Sequence, residues 1–104
     1  MAFLVFYVPC PDESTARRIA GQVVERRLAA CANLFPMQSL YWWEEALQHD
    51  NEWVALLKTP PALEQRLEQA LLELHPYETP CLLRYEVRAN PAYEDWIVAE
   101  TIQD

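Results

Sequence analysis

The sequence predicts an α+β fold, a ferredoxin-like βαββαβ sandwich with an extra C-terminal helix. Three observations carry this. Residues 2–8 are apolar at every position, so they form a strand buried on both faces. Two stripes of helical period flank a pair of strand-like segments. Eight prolines and a single glycine, Gly21, fall mostly between these segments and punctuate the chain. The 104 residues suit one domain, 1–104, with no linker, repeat or low-complexity stretch.

The first strand ends at Cys10-Pro11-Asp12, and Asp12 suits a helix N-cap. Ala16, Ile19, Ala20 and Val23 then repeat at helical spacing, predicting a helix over 12–27. The aromatic and apolar segment 29–43 predicts a long strand that Pro36 bends. The polar stretch 44–51 predicts a turn, and 52–58 a second strand with two apolar faces. Thr59-Pro60-Pro61 is a helix start with a capping threonine, opening a helix over 60–75. Its stripe is Leu63, Leu67, Ala70, Leu71 and Leu74, and His75-Pro76 stops it. Residues 81–88 alternate as an edge strand, with Leu83, Tyr85 and Val87 on one face. Asn90-Pro91 opens a last helix over 91–101, with Tyr93, Trp96 and Ile97 inward. Right-handed crossovers place the strands in the order 4-1-3-2.

Two helices cover one face of such a sheet. The first and third strands are apolar on both faces, so the second face must be covered too. An oligomer joined through sheet surfaces or edges covers it, and four tryptophans and five tyrosines suit an interface core. The alternative is that the C-terminal helix folds over it.

Composition excludes several classes. Eight basic against sixteen acidic residues give a net charge of −8, which argues against nucleic acid and anionic membrane surfaces as partners. No apolar run approaches membrane-spanning length, and the apolar N-terminus lacks a signal peptide's basic flank. One glycine leaves no phosphate loop or dinucleotide fingerprint, so no organic cofactor is expected. Three cysteines are too few for a disulfide scaffold and point to a reducing, cytoplasmic setting.

Six segments in register resemble the CutA family of divalent-cation tolerance proteins. They are Cys10-Pro11-Asp12-Glu13, residues 27–33, Tyr41-Trp42-Trp43-Glu44, Leu57-Lys58-Thr59, His75-Pro76-Tyr77-Glu78-Thr79-Pro80 and residues 90–96. The resemblance covers nearly the whole chain. It implies a homotrimer similar in architecture to PII signalling proteins. It also implies a non-enzymatic role in tolerance of copper or another divalent metal. The chain departs from the family pattern at Glu45, where a turn glycine is usual, and at Met37, where a glycine commonly follows Pro36. It departs again at Cys81, where an acidic residue is usual.

No Cys-x-x-Cys or comparable pair marks a zinc site. The predicted topology nevertheless places Cys10, His75 and Cys81 at one end of the sheet and Cys31 at the other. Two thiols and an imidazole suit Cu(I), and Glu78 offers a hard oxygen ligand. Metal expectations therefore rest on Cys10, His75, Cys81 and Glu78. Each also has a plain structural role: cysteines pack as small hydrophobes, and a histidine suits a helix end. The other functional reading is a PII-like sensor with a small molecule in clefts between subunits. Only Lys58, Arg84 and Arg88 stand ready for phosphates there. An enzyme with Cys10 as nucleophile and His75 as base lacks any triad orienter or oxyanion loop.

Overall fold

The computed structural model describes residues 2–103; the termini of the expected domain, residues 1 and 104, lie outside them. The elements are β1 (Phe3–Cys10), α1 (Glu13–Glu25), β2 (Cys31–Trp43), β3 (Ala46–Thr59), α2 (Glu64–Leu74), β4 (Leu83–Val87) and α3 (Pro91–Ala99). They form one antiparallel sheet in the order β2-β3-β1-β4, the arrangement expected from the crossovers.

Register sorts the side chains by face. Leu4, Phe6, Val8 and Cys10 of β1 join Ala55 and Leu57 of β3 under α1 and α2. The two helices close this core with Ala16, Ile19, Ala20 and Val23 and with Leu67, Ala70 and Leu71. The opposite face carries Phe3, Val5, Tyr7 and Pro9 of β1 and Glu52, Val54, Leu56 and Lys58 of β3. There α3 settles its fully buried Ile97 on Phe3 and Val5, beside Leu56, Val87 and Tyr93. The C-terminal helix thus does fold over the second face, but over one end of it only. Trp96, expected inward, stays exposed and packs on Tyr93 at a ring separation of 5.6 Å.

The helix starts agree with expectation at Asp12 and differ at Thr59. Asp12 caps α1 by accepting from the Thr15 N–H at 2.8 Å. Thr59 does not cap: it is the last residue of β3, and its hydroxyl donates to the Leu28 carbonyl at 2.7 Å. Pro61–Leu63 form a 3-10 turn before α2. Helix α1 closes with Leu28 N–H on the Val23 carbonyl and Arg27 N–H on Val24, a Schellman pattern whose left-handed residue is Arg27 at φ 59°.

The largest departure is the β2–β3 connection. The polar stretch 44–51 is not a loop. A two-residue turn at Glu44 and Glu45 joins Trp43 directly to its partner Ala46, and the ladder runs without a break to Cys31 opposite Lys58. Polarity predicts a turn only where a strand must face a core. This half of the hairpin extends past the helices, so polar side chains pair there without cost. Pro36 sits within the ladder on the outer strand, where a missing N–H is tolerated. The protruding arm is also apolar. Leu40, Trp42 and Leu47 are exposed on its helix-side face, Trp42 at 72%.

Both turn residues have positive φ, 49° at Glu44 and 65° at Glu45, the signature of a type I′ turn. An L-residue costs about 1–2 kcal/mol in that region, and glycine gives back part of the gain by loosening the unfolded chain. Glu45→Gly should therefore raise stability by about 0.5–1 kcal/mol. An unchanged or lowered urea midpoint would show that Glu45 is not strained.

Candidate functional site

The end of β1, the first buried residues of β3 and the segment after α2 meet at one end of the sheet. His75 ends α2, its N–H bonded to the Leu71 carbonyl at 2.9 Å. Its ring Nε2 lies 2.7 Å from the Pro9 carbonyl, and its Nδ1 accepts the Tyr77 N–H at 3.1 Å. A carbonyl can only accept, so these partners assign the Nε2–H tautomer. The Tyr77 ring tilts against the imidazole at 4.8 Å, and its hydroxyl donates to Glu52 Oε2 at 2.6 Å. A continuous chain of hydrogen bonds thus links β1, the post-α2 segment and β3. Glu52 is only 6% exposed. Burial, followed by the hydrogen bond and charge of Glu52, holds the Tyr77 phenol well above its usual range.

Beside this chain opens a cleft of about 460 Å³ on the second face of the sheet, beyond the reach of α3. Tyr41 and Trp43 of the hairpin, Glu52, Tyr77, Glu78 and Cys81 are among the residues lining it. Tyr41 donates to Asp50 across the hairpin, which raises its phenol to about 12.

The four expected metal ligands are not gathered around one point. Cys10 faces the helix-side core, fully buried, with its thiol directed at the Val8 carbonyl at 3.5 Å. Burial first, then the charges of Glu52 and Asp12, push that thiol up to about 11, so it stays protonated at neutral pH. Cys81 is exposed and lines the cleft. The register that pairs Tyr7 with Leu83 would set Cys81 opposite Pro9 rather than Cys10, and one residue's offset turns a side chain to the other face. Both ring nitrogens of His75 are already engaged. Glu78 is exposed on the cleft wall. Among the described residues no three His, Cys, Asp or Glu side chains are grouped to hold a metal ion. As arranged in one chain, then, this set does not fit a copper ion, which needs deprotonated thiolates and an imidazole lone pair. Cys31 lies at the opposite end of the sheet, half-buried. His49 is exposed on the hairpin opposite Leu40.

The sequence reading missed Glu52, assigning it only to the start of a strand. A signal existed: it is the one acidic residue abutting the run Trp53–Leu57, and alternation puts it on the face of Val54 and Leu56. The three cations that a phosphate ligand needs are otherwise occupied. Lys58 donates to the Tyr93 hydroxyl at 3.1 Å, Arg84 pairs with Glu64 and Glu68, and Arg88 lies 3.8 Å from Glu94.

A family model described as CutA1 divalent ion tolerance protein matches residues 4–100. The chain belongs to the CutA family. The divalent-cation tolerance protein CutA of Pyrococcus horikoshii is 36% identical over 99 residues, covering 94% of this chain and 97% of that protein. Its Thermotoga maritima counterpart is 37% identical over 95 residues, covering 90% and 94%. The crystal structure of P. horikoshii CutA1 superposes with a TM-score of 0.93 at 35% identity, over 96% of this chain and 99% of that one. A CutA structure from Archaeoglobus fulgidus, described as periplasmic, gives 0.89 at 31% identity over 96% and 98%. A relative from Oryza sativa, 32% identical over 100 residues and covering 94% of this chain and 56% of that protein, is named chloroplastic, so CutA relatives are described in different compartments. In this chain no helix among the described residues is long and apolar enough to cross a membrane.

The Cys10 thiol supplies a pH test. Its folded value of about 11 stands above the ordinary 9.0, so the folded state holds the proton more tightly than the unfolded chain. This contribution is full below pH 9 and is lost as the pH rises towards 11. Urea stability of the wild type should fall more steeply across that window than that of Cys10→Ala. Parallel slopes would contradict it.

Proposed function

We propose that this CutA chain serves divalent-cation tolerance without catalysis, as a cytoplasmic homotrimer that responds to a small molecule bound in the cleft. The observation that carries this reading is the cleft itself. Its size is within the range of ligand sites, and it joins an apolar aromatic wall to a few convergent polar groups. The assembly is supported by Leu40, Trp42 and Leu47, which lie bare on the arm, and by the free edges of β2 and β4. Three is the number that the CutA resemblance carries. The absence of catalysis is supported by the protonated, buried Cys10 and the fully engaged His75, which leave the nucleophile–base reading without a nucleophile. A cytoplasmic, reducing setting is supported by three free cysteines.

PII-like sensing needs qualification. The β2–β3 connection is a two-residue turn rather than a long loop, and Lys58, Arg84 and Arg88 are paired. The cleft is therefore unsuited to nucleotide phosphates.

One observation favours a second reading, in which copper or another divalent ion is bound directly. Cys81 and Glu78 both line the cleft and are exposed, so they could act as this chain's donors to an ion completed by a neighbouring subunit. Anaerobic titration with Cu(I), Cu(II) and Zn(II), counting metal per chain, separates the two. The sensing reading predicts no tight stoichiometric binding. Stoichiometric binding lost in Cys81→Ser and kept in Cys10→Ser would establish the direct-binding reading instead.

A further inference from the structure

Among the described residues Glu52 is a largely buried carboxylate with no ion-pair partner. Its Oε2 accepts one hydrogen bond, from the Tyr77 hydroxyl, and among the described residues its other oxygen has no partner and no Lys, Arg or His pairs with it. That second oxygen is not sealed off, since among the described residues no buried side-chain oxygen lacks a partner; it stands open at the cleft, where a donor can complete it. Glu52 lines the cleft, and three aromatic rings line it too: Tyr41, Trp43 and Tyr77. Aromatic faces attract cations through their quadrupole, more strongly where water is excluded. A second carboxylate, Glu78, stands on the same wall. The net charge of −8 raises the local concentration of cations generally.

We propose that the cleft takes an organic ammonium ion, which donates an N–H to the unpartnered oxygen of Glu52 and lays its apolar stem along Tyr41, Trp43 and Tyr77. An anion is disfavoured by both carboxylates and by the absence of a free cation among the lining residues named here. A divalent metal is disfavoured by donor number. Zinc takes four ligands and calcium six or more, whereas no group of three ligating side chains is assembled among the described residues. A neutral ligand would leave the Glu52 charge uncompensated. The inference rests on the reading of the cleft as a ligand site and adds the chemical class of the ligand.

The test compares benzylammonium, benzyl alcohol and benzoate, which are similar in size and differ in charge, by calorimetric titration of the purified, assembled protein. Benzylammonium should bind about tenfold or more tightly than the alcohol, with benzoate weakest. Glu52→Gln should abolish that preference while leaving the alcohol's affinity within about twofold, because charge-assisted bonding is the part removed. Trp43→Leu, on the exposed hairpin, keeps the carboxylate and should weaken benzylammonium severalfold, so the proposal stays testable if Glu52→Gln does not fold. Equal binding of the alcohol or benzoate would overturn the ammonium assignment and leave the cleft a ligand site. Benzylammonium binding that neither substitution weakens would place it elsewhere and overturn the assignment. No binding of any probe in the millimolar range would overturn both the assignment and the reading of the cleft.

Discussion

The structure depends on one constraint: the central strands β1 and β3 are apolar on both faces, so each face must be covered. On one face α1 and α2 do this over the middle of the sheet. Phe6, Val8, Leu57, Leu67 and Leu71 lose all contact with solvent. On the other face only α3 is available, and its nine residues reach Phe3, Val5 and Leu56 and no further. One feature of the surface follows from that shortfall and another from the length of the hairpin. The uncovered end holds the cleft, and the β2–β3 arm carries its apolar side chains into solvent.

The same end of the sheet collects the polar groups. Helix α2 must stop at Pro76, which brings His75 against the Pro9 carbonyl at the end of β1. The imidazole then orients Tyr77, and Tyr77 reaches Glu52. Each bond is local, yet together they hold three separate parts of the chain in fixed relation around one cleft. They also explain why His75 is a structural residue here, with both nitrogens occupied. A metal could reach it only by breaking a bond to Pro9 or Tyr77.

Much of the fold was legible because hydrophobic period and crossover handedness act over long stretches. The stripes Ala16–Val23 and Leu67–Leu71 and the strand order follow from them directly. Three features were not legible, each for its own reason. Residues 44–51 look like a loop because polarity cannot distinguish solvent-exposed turn from solvent-exposed strand. The Cys10–Cys81 pairing fails because strand order sets which ends meet, whereas facing depends on a register that an offset of one residue reverses. Glu52 escaped notice because its character comes from burial against Tyr77, a partner 25 positions away.

The hairpin arm and the half-covered face leave apolar side chains exposed on a lone chain. Exposed Trp42, Leu40 and Leu47 on the β2–β3 ladder are the observation that supports the proposed assembly. Sedimentation equilibrium at micromolar chain concentration tests this most directly. A single species at three times the chain mass of 12.2 kDa is predicted. A mass of one or two chains would contradict the account, because Leu40, Trp42 and Leu47 would then stand bare in water.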